Sequence, residues 1–353
     1  MPALADLDLR DSTVLKGLAI SFIVLHNFFH AVNPARQNEF HFHPGGFAIF
    51  LGQVQHAPTA IQAFFSYFGH LGVVVFIFLS AYGLAKSHWD DSASWTQFMV
   101  RRIVKLYPIF GLIVLPWTFI ISFQVPREQF LHTILPEIVL LMAGISPLLP
   151  GLDLPPVGPW WFIPFIVEFY AVFYLLRWVT RKFGWSGLVV MAALGLGVSA
   201  LADPWLARWK INLLATPLGR MPLLCLGIAA ARYPFRIRGP IVLLAAAVLV
   251  LGCSQALLWP FLDLAALLLI LAAYMGMRVG LRNRWLIEHI GRYSIIIFLI
   301  NAMIRDQFLS YATTPLLQLE FGAITAILSF VIAAAIHELL IPSGIKIRPP
   351  LTT

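Results

Sequence analysis

The first long apolar run, residues 15–32, carries polar groups that hydropathy alone would not place there. Lys16 stands at its start, His26 lies ten residues on, and Asn27 and His30 complete the set. A charged side chain at membrane depth costs roughly 2.5–3.5 kcal/mol on insertion scales, so such groups are placed there with a partner or a task. On an ideal helix Asn27 falls about 20° and His30 about 40° from Lys16, with His26 about 80° round. His26 and His30, one turn apart, share a face. Imidazole titrates near neutrality, which suits it to take a proton from a hydroxyl. His26 and Lys16 are therefore the candidate catalytic pair, with Asn27 and His30 beside them as candidate substrate contacts.

A second group of charges lies at Arg101, Arg102 and Lys105, followed by Tyr107 and Pro108. Arg102 and Lys105 are three apart and are expected on one helix face. A bare basic doublet is also what a cytoplasmic anchor looks like. With the lysine added, it suits a polyanion such as the phosphates of coenzyme A. Gly72, Val73, Leu79, Ser80, Tyr82 and Gly83 form a small-residue segment suited to close helix packing, where a hydroxyl can bond across helices. Trp160 and Trp161 read as interfacial belt residues. Trp161, with Glu168 deeper in the same span and Asn301 in a late one, is a further candidate substrate contact. The loop 32–59 holds His41, His43 and His56, whose spacing matches no strong ligand pattern, so no metal site is expected.

These residues must be held by a membrane-embedded scaffold. The chain of 353 residues is 60% hydrophobic and 11% charged, with mean hydropathy +0.84; soluble domains run near 25% charged. Apolar segments can be marked at 15–32, 60–85, 103–124, 130–147, 160–178, 185–202, 212–231, 239–258, 261–277, 293–311 and 315–341. If all cross, Arg177, Arg181 and Lys182 fall on the opposite side from Arg101, Arg102 and Lys105, against the positive-inside rule. Removing 130–147, broken by His132, Pro136, Glu137 and Gly144 and followed by the Pro-rich stretch 150–159, resolves the conflict. That segment reads as re-entrant or interfacial. The expectation is an all-α polytopic transmembrane bundle, about ten crossings plus that one segment, forming a single domain over 1–353 with both termini cytoplasmic.

Most of the 24 Lys and Arg residues then lie on or near the cytoplasmic side. Arg36, Arg127, Arg208, Lys210, Arg220 and Arg305 lie outward or within the outer half. Because the basic residues are dispersed through short loops, the formal charge of +8 does not point to nucleic acid. Cys225 and Cys253 sit in apolar runs and read as core residues. Residues 1–14 are acidic and polar and do not read as a cleavable signal peptide. No internal repeat of the transporter kind is visible.

Taken in order, these pieces resemble the acyltransferase-3 family of integral membrane acyltransferases. The likeness runs from Leu15-Lys16-Gly17-Leu18-Ala19 and His26, through Gly72-Val73, Leu79-Ser80 and Tyr82-Gly83, to Arg101 through Pro108, Trp160-Trp161-Phe162 with Tyr170, and Gly291 with Tyr293-Ser294. It covers roughly residues 10–340. The resemblance implies a donor substrate, acyl-coenzyme A and often acetyl-coenzyme A, bound by Arg101, Arg102 and Lys105, with no permanently bound cofactor. It implies a glycan or lipid-linked sugar acceptor, a bacterial inner-membrane location, and work alongside polysaccharide biosynthesis machinery. The chain departs from the family pattern in four places. His26 is one position short of the usual spacing from the basic residue, Lys105 replaces a second arginine, Val74 replaces an acidic residue, and Asn301 replaces a histidine.

The expected activity is transfer of an acyl group, acetyl foremost, from acyl-coenzyme A to a sugar hydroxyl. His26 acts either as base or as acyl carrier, and Lys16 orients the donor or stabilises the oxyanion. The rival readings are a transporter or flippase of a lipid-linked sugar, suggested by Lys16, Glu168, Arg220 and Arg305, and a structural subunit of an export complex.

Overall fold

The computed structural model describes residues 4–145, 149 and 155–340. Part of the segment 130–147, the first half of the Pro-rich stretch, and the basic residues Lys346 and Arg348 lie outside the described residues. The described chain is helical, without strands. Its helices of eight residues or more are α1 (Leu9–Val32), α2 (Gly46–Val54), α3 (Ala57–Phe68), α4 (Gly72–Ser87), α5 (Trp95–Gln124), α6 (Leu135–Ala143), α7 (Phe162–Leu206), α8 (Met221–Arg232), α9 (Gly239–Gly252), α10 (Leu262–Arg282), α11 (Trp285–Arg292), α12 (Ser294–Asp306) and α13 (Pro315–Leu340).

Helix α1 starts ahead of the apolar run because it is capped reciprocally. The Asp8 carboxylate accepts the Asp11 N–H at 2.9 Å, and the Asp11 carboxylate accepts the Asp8 N–H at 3.0 Å. Two N-terminal donors that a helix leaves orphaned are answered in this way. Ser94 and Gln97 form the same device at the start of α5.

Among the described residues, six helical stretches are long and apolar enough to cross a membrane: Leu9–Val32, Ala57–Ser87, Trp95–Gln124, Gly158–Ala202, Trp259–Arg282 and Pro315–Leu340. Helices α11 and α12, bent by 79°, make a seventh if they act as one span. Length and composition of the helices therefore do not reach the expected ten crossings, for two physical reasons. The segments 212–231 and 239–258 form helices of only 12 and 14 residues, about 18 and 21 Å long against a core of about 30 Å. The segments 160–178 and 185–202 run together in the 45 residues of α7, interrupted at Gly184 by φ +64° and ψ −148°, a conformation glycine adopts without a Cβ penalty. Helix α6 follows one α-turn (Arg127–Gln129) and a π-helical stretch (Phe130–Ile134), and it is not among the six.

The chain packs as two compact units: Met1–Tyr82 with Gly227–Leu339, and Gly83–Leu226 with Leu340–Thr353. In the first, α1 packs on α3, α11 and α12, and α9 packs on α10. Backbones meet directly where α1 touches α11, because a Cβ at Gly17 would stand 2.0 Å from the Ile287 carbonyl oxygen and one at Gly291 would stand 1.9 Å from that of Thr13. Small residues permit such approach where lipid supplies no hydrophobic drive between helices. Asp11, fully buried, ties α1 to α10: its carboxylate accepts from both Arg278 Nε and Nη2 and from the Tyr274 hydroxyl at 2.7 Å. Ser80 Oγ donates at 2.7 Å to the Phe76 carbonyl of its own helix, a back-bond that occupies the hydroxyl hydrogen, and the hydroxyl of this segment that reaches beyond its helix is that of Tyr82, which donates to the Leu7 carbonyl at 2.9 Å.

The second unit is built on aromatic packing of α5 and α7. Trp160 and Trp161 are only 0% and 3% exposed, which corrects their reading as interfacial belt residues. The turn Gly158–Trp161 folds both rings inward, setting Trp160 edge-on against Phe110 and Trp117. Such rings contribute packing area rather than anchorage at a headgroup layer.

Candidate active site

In the first unit the turn between α3 and α4 lies directly on α1. Its contact point is Gly69, where a Cβ would stand 2.6 Å from the His26 Cβ and 2.8 Å from the Phe22 carbonyl oxygen. Any other residue there would push the two elements apart. The approach gathers three imidazoles, with ring centroids 4.9 Å apart for His26 and His30 and 5.5 Å for His26 and His70. His26 is buried, and its Nδ1 lies 3.1 Å from the Phe65 carbonyl oxygen. A carbonyl only accepts, so in the neutral ring Nδ1 carries the hydrogen and Nε2 keeps the lone pair. That tautomer is the one a base or nucleophile needs.

Around this group several buried polar atoms have no hydrogen-bond partner among the described residues: His30 Nδ1, Gln62 Oε1 and Ser66 Oγ. Most buried polar groups in folded proteins are answered, and each exception calls for a cause.

Asn27 and Asn301 answer one another. Asn27 Nδ2 donates to Asn301 Oδ1 at 2.7 Å, and Asn301 Nδ2 donates to the carbonyls of Ile297 at 3.0 Å and Phe298 at 2.7 Å. Arg305 adds a bond to the Asn27 carbonyl at 3.3 Å and pairs with Asp306. The amides tie α1 to α12, and Asn301 has its acceptor and both donors engaged.

Lys16 is not brought to His26. Ten residues of continuous helix separate their Cα atoms by about 15 Å, and helical side chains lean toward the N-terminus, so the ammonium and the imidazole cannot act on one atom. Lys16 makes no hydrogen bond or ion pair among the described residues.

The second unit holds the other set. Arg102 is 3% exposed; its Nη2 lies 2.7 Å from Nε2 and 2.8 Å from Nδ1 of His88, and its guanidinium carbon lies 5.5 Å from the Phe98 ring and 5.8 Å from that of Tyr170. Ser87 Oγ donates to the Gly83 carbonyl at 2.8 Å and stands 2.5 Å from His88 Nδ1. With the hydroxyl hydrogen so used, His88 donates from Nδ1 and accepts from Arg102 at Nε2. Burial first, and the Arg102 charge second, push the His88 pKa down to about 4, which keeps the ring neutral as this chain of bonds requires.

Arginines of α7 hold the same loop. Arg177 Nη1 donates to the carbonyls of His88 at 3.0 Å and Asp91 at 3.1 Å, and Arg181 donates to the Trp89 carbonyl and to Asp90. Arg101, exposed, faces Asp91 at 3.6 Å, and Lys105 is exposed. Arg102 and Lys105 thus do not share a buried face. Glu168 keeps Oε1 buried without a hydrogen-bond partner among the described residues, while Trp161 is part of the aromatic packing.

Sequence reasoning passed over His70 and His88. His70 stands two residues before the Gly72-Val73 pair that the motif reading did single out, and four beyond Ser66, so its register was available. His88 closes an apolar segment just upstream of the basic cluster; only the fold shows that Arg102 turns back onto it. In the loop 32–59, His41 and His56 are exposed, and the Gln37 side chain bonds the backbone of His41 and His43.

A family model, that of the acyltransferase domain of the acyltransferase-3 type, matches residues 9–338. Neither a search of curated proteins nor one of solved structures returns a significant match.

Proposed function

The chain belongs to the acyltransferase-3 family, and on that premise we propose that it is a membrane O-acyltransferase moving an acyl group, acetyl foremost, from acyl-coenzyme A to a hydroxyl of a surface or exported glycan. The observation carrying this reading is His26: buried, its Nδ1 engaged by the Phe65 carbonyl, its Nε2 left with a lone pair. In the proposed step Nε2 takes the proton of the acceptor hydroxyl as its oxygen bonds to the thioester carbonyl carbon. The carbon–sulfur bond then breaks, and the departing thiolate takes the proton from the imidazolium. Arg101 and Lys105 make first contact with the donor phosphates, with Arg102 behind them. Lys16, too far from His26 to serve as its oxyanion partner, binds a negative group of the donor. We place the enzyme in a bacterial inner membrane with ten crossings and cytoplasmic ends, taking Gly184 as a break between two spans and counting α8 and α9 as short ones.

The test is transfer of radiolabel from acetyl-coenzyme A by purified protein to a panel of glycans, backed by mass spectrometry of surface glycans from wild-type and deletion cells. Label moves in wild type and fails in His26→Ala. Transfer at the wild-type rate in both His26→Ala and Arg102→Ala overturns the site assignment. Lys16 and Glu168 Oε1, each without a hydrogen-bond partner among the described residues, favour one rival, a transporter of a lipid-linked sugar. Substrate movement in vesicles without any acyl donor would establish it instead.

A further inference from the structure

Helix α3 and the turn after it carry Gln62, Ser66 and His70, spaced by four residues and so aligned on one face. All three are at least 98% buried. The stripe starts beside the base, the His70 ring lying 5.5 Å from that of His26, and runs about 12 Å along the helix toward the end that joins the loop 32–59. Gln62 is positioned from outside the helix, its Nε2 donating to the Pro315 carbonyl at 2.7 Å, which leaves Oε1 as the amide's acceptor. That Oε1 and Ser66 Oγ are buried with no hydrogen-bond partner among the described residues, as is His30 Nδ1 one turn beyond His26.

We propose that Gln62 Oε1 and Ser66 Oγ, with His30 opposite the base's own turn, are the acceptor subsite, binding the neighbouring hydroxyls of a polyhydroxylated substrate whose reacting hydroxyl meets His26 Nε2. The reasoning rests on the proposed acyl transfer and adds its acceptor side. The three groups offer two acceptors or donors and one further acceptor without any formal charge, the chemistry of a neutral polyol rather than of a phosphate or carboxylate. Their spacing along a helix suits successive hydroxyls of a ring rather than a single alcohol. The stripe also leads away from Lys16, toward the opposite end of α1, so donor and acceptor contacts separate along that helix.

The experiment uses full-length protein in nanodiscs without donor. The probe is n-octyl β-D-glucoside, compared with tetraethylene glycol monooctyl ether, which has the same alkyl chain and no sugar ring, both below micelle-forming concentration. The glucoside raises the melting temperature of wild type and the ether does not. Ser66→Ala removes a hydroxyl with no hydrogen-bond partner among the described residues, so its unliganded melting temperature stays that of wild type, while the glucoside concentration for half-maximal stabilisation rises about fivefold. Gln62→Met does the same, and should it misfold through loss of the Pro315 bond, Ser66→Ala still decides. Equal stabilisation by glucoside and ether, or an unshifted Ser66→Ala, overturns the subsite. Glucoside binding with no label transfer from acetyl-coenzyme A overturns the proposed function and leaves the subsite standing.

Discussion

The histidines near α1 and the arginines near α5 are both polar groups sunk in an apolar bundle, yet they are satisfied in opposite ways. Around Arg102 the cations are answered by the chain itself: His88 accepts from Arg102, loop carbonyls accept from Arg177 and Arg181, and Asp91 faces Arg101. Around His26 the groups are uncharged and several remain unanswered, namely His30 Nδ1, Gln62 Oε1 and Ser66 Oγ. Buried charge is expensive to leave unpaired, at several kcal/mol. Neutral polar atoms tolerate vacancy at about 1–3 kcal/mol each. A fold can therefore keep a substrate site of hydroxyls and amides open in its interior, whereas a cationic element must be organised by its own loop before any ligand arrives. The first arrangement suits proton chemistry on an alcohol, and the second suits a rigid anion-binding edge.

The sharpest way to break that contrast is to remove the proposed base. His26→Ala is expected to lower the rate of label transfer by about 10²–10⁴-fold while the protein remains folded, because the hydrogen bonds it loses are to the backbone of Phe65 and Ser66 alone. His30→Ala should fall well short of that loss. A loss at His30 with His26→Ala at wild-type rate would move the base one helical turn. If both variants kept full activity, the imidazoles would be packing groups, and the two regions would differ only in composition.

On the arginine side the effect is expected in binding. Lys105→Ala and Arg101→Ala should raise the KM for acetyl-coenzyme A by about tenfold or more each, the worth of one charge-assisted hydrogen bond, with kcat little changed. Arg102→Ala should lower the melting temperature as well, since it strips His88 and the loop of a partner. An Arg102→Ala protein with wild-type thermal stability and a raised donor KM would show that Arg102 touches the donor rather than bracing the loop.

Much of this was legible before the fold was known, and the gaps have physical causes. His26 and His30 stand out because the helical repeat places them together in a run where polarity is costly. The capping box of Asp8 and Asp11 could be read locally, but the burial of Asp11 by Arg278, 267 residues away, could not, since no periodicity links positions so remote. Trp160 and Trp161 were misplaced because tryptophan at a span's edge is ambiguous between lipid interface and core until the preceding turn is seen. The number of crossings depends on Gly184 and on two short helices, which hydropathy reads as apolar without regard to their length.

His88 gives the arginine region a pH dependence of its own. Its pKa in the fold is about 4, against about 6.5 for a free histidine. As pH falls through 6.5 the unfolded chain gains a proton that the folded protein refuses, so stability declines from about pH 6.5 and the decline levels off below about 4. Because the ring is partly exposed, screening reduces the size of the effect. Arg102, Lys105 and Arg101 oppose protonation and Asp91 favours it. His88→Gln, which keeps an acceptor for Arg102 without titrating, should show a flatter melting temperature between pH 7 and 4. An equal slope in both proteins would assign the pH response elsewhere.

The smallest expected effect tests whether satisfied amides belong with the arginines rather than with the histidines. Asn27 lies next to His26 on α1 and bonds Asn301 on α12, yet Asn301 has its acceptor and both amide hydrogens engaged within the protein. By the rule drawn from the contrast, such a pair holds helices and does not wait for substrate. Interhelical hydrogen bonds in membrane proteins couple by about 0.6 kcal/mol on average, so a double-mutant cycle of Asn27→Leu and Asn301→Leu, read by unfolding in detergent, should return a coupling of that order with KM for both substrates unchanged. A shift in acceptor KM from Asn301→Leu alone would place a fully answered residue in the site. Satisfaction of hydrogen bonds would then no longer separate the groups that build this protein from the groups that act in it.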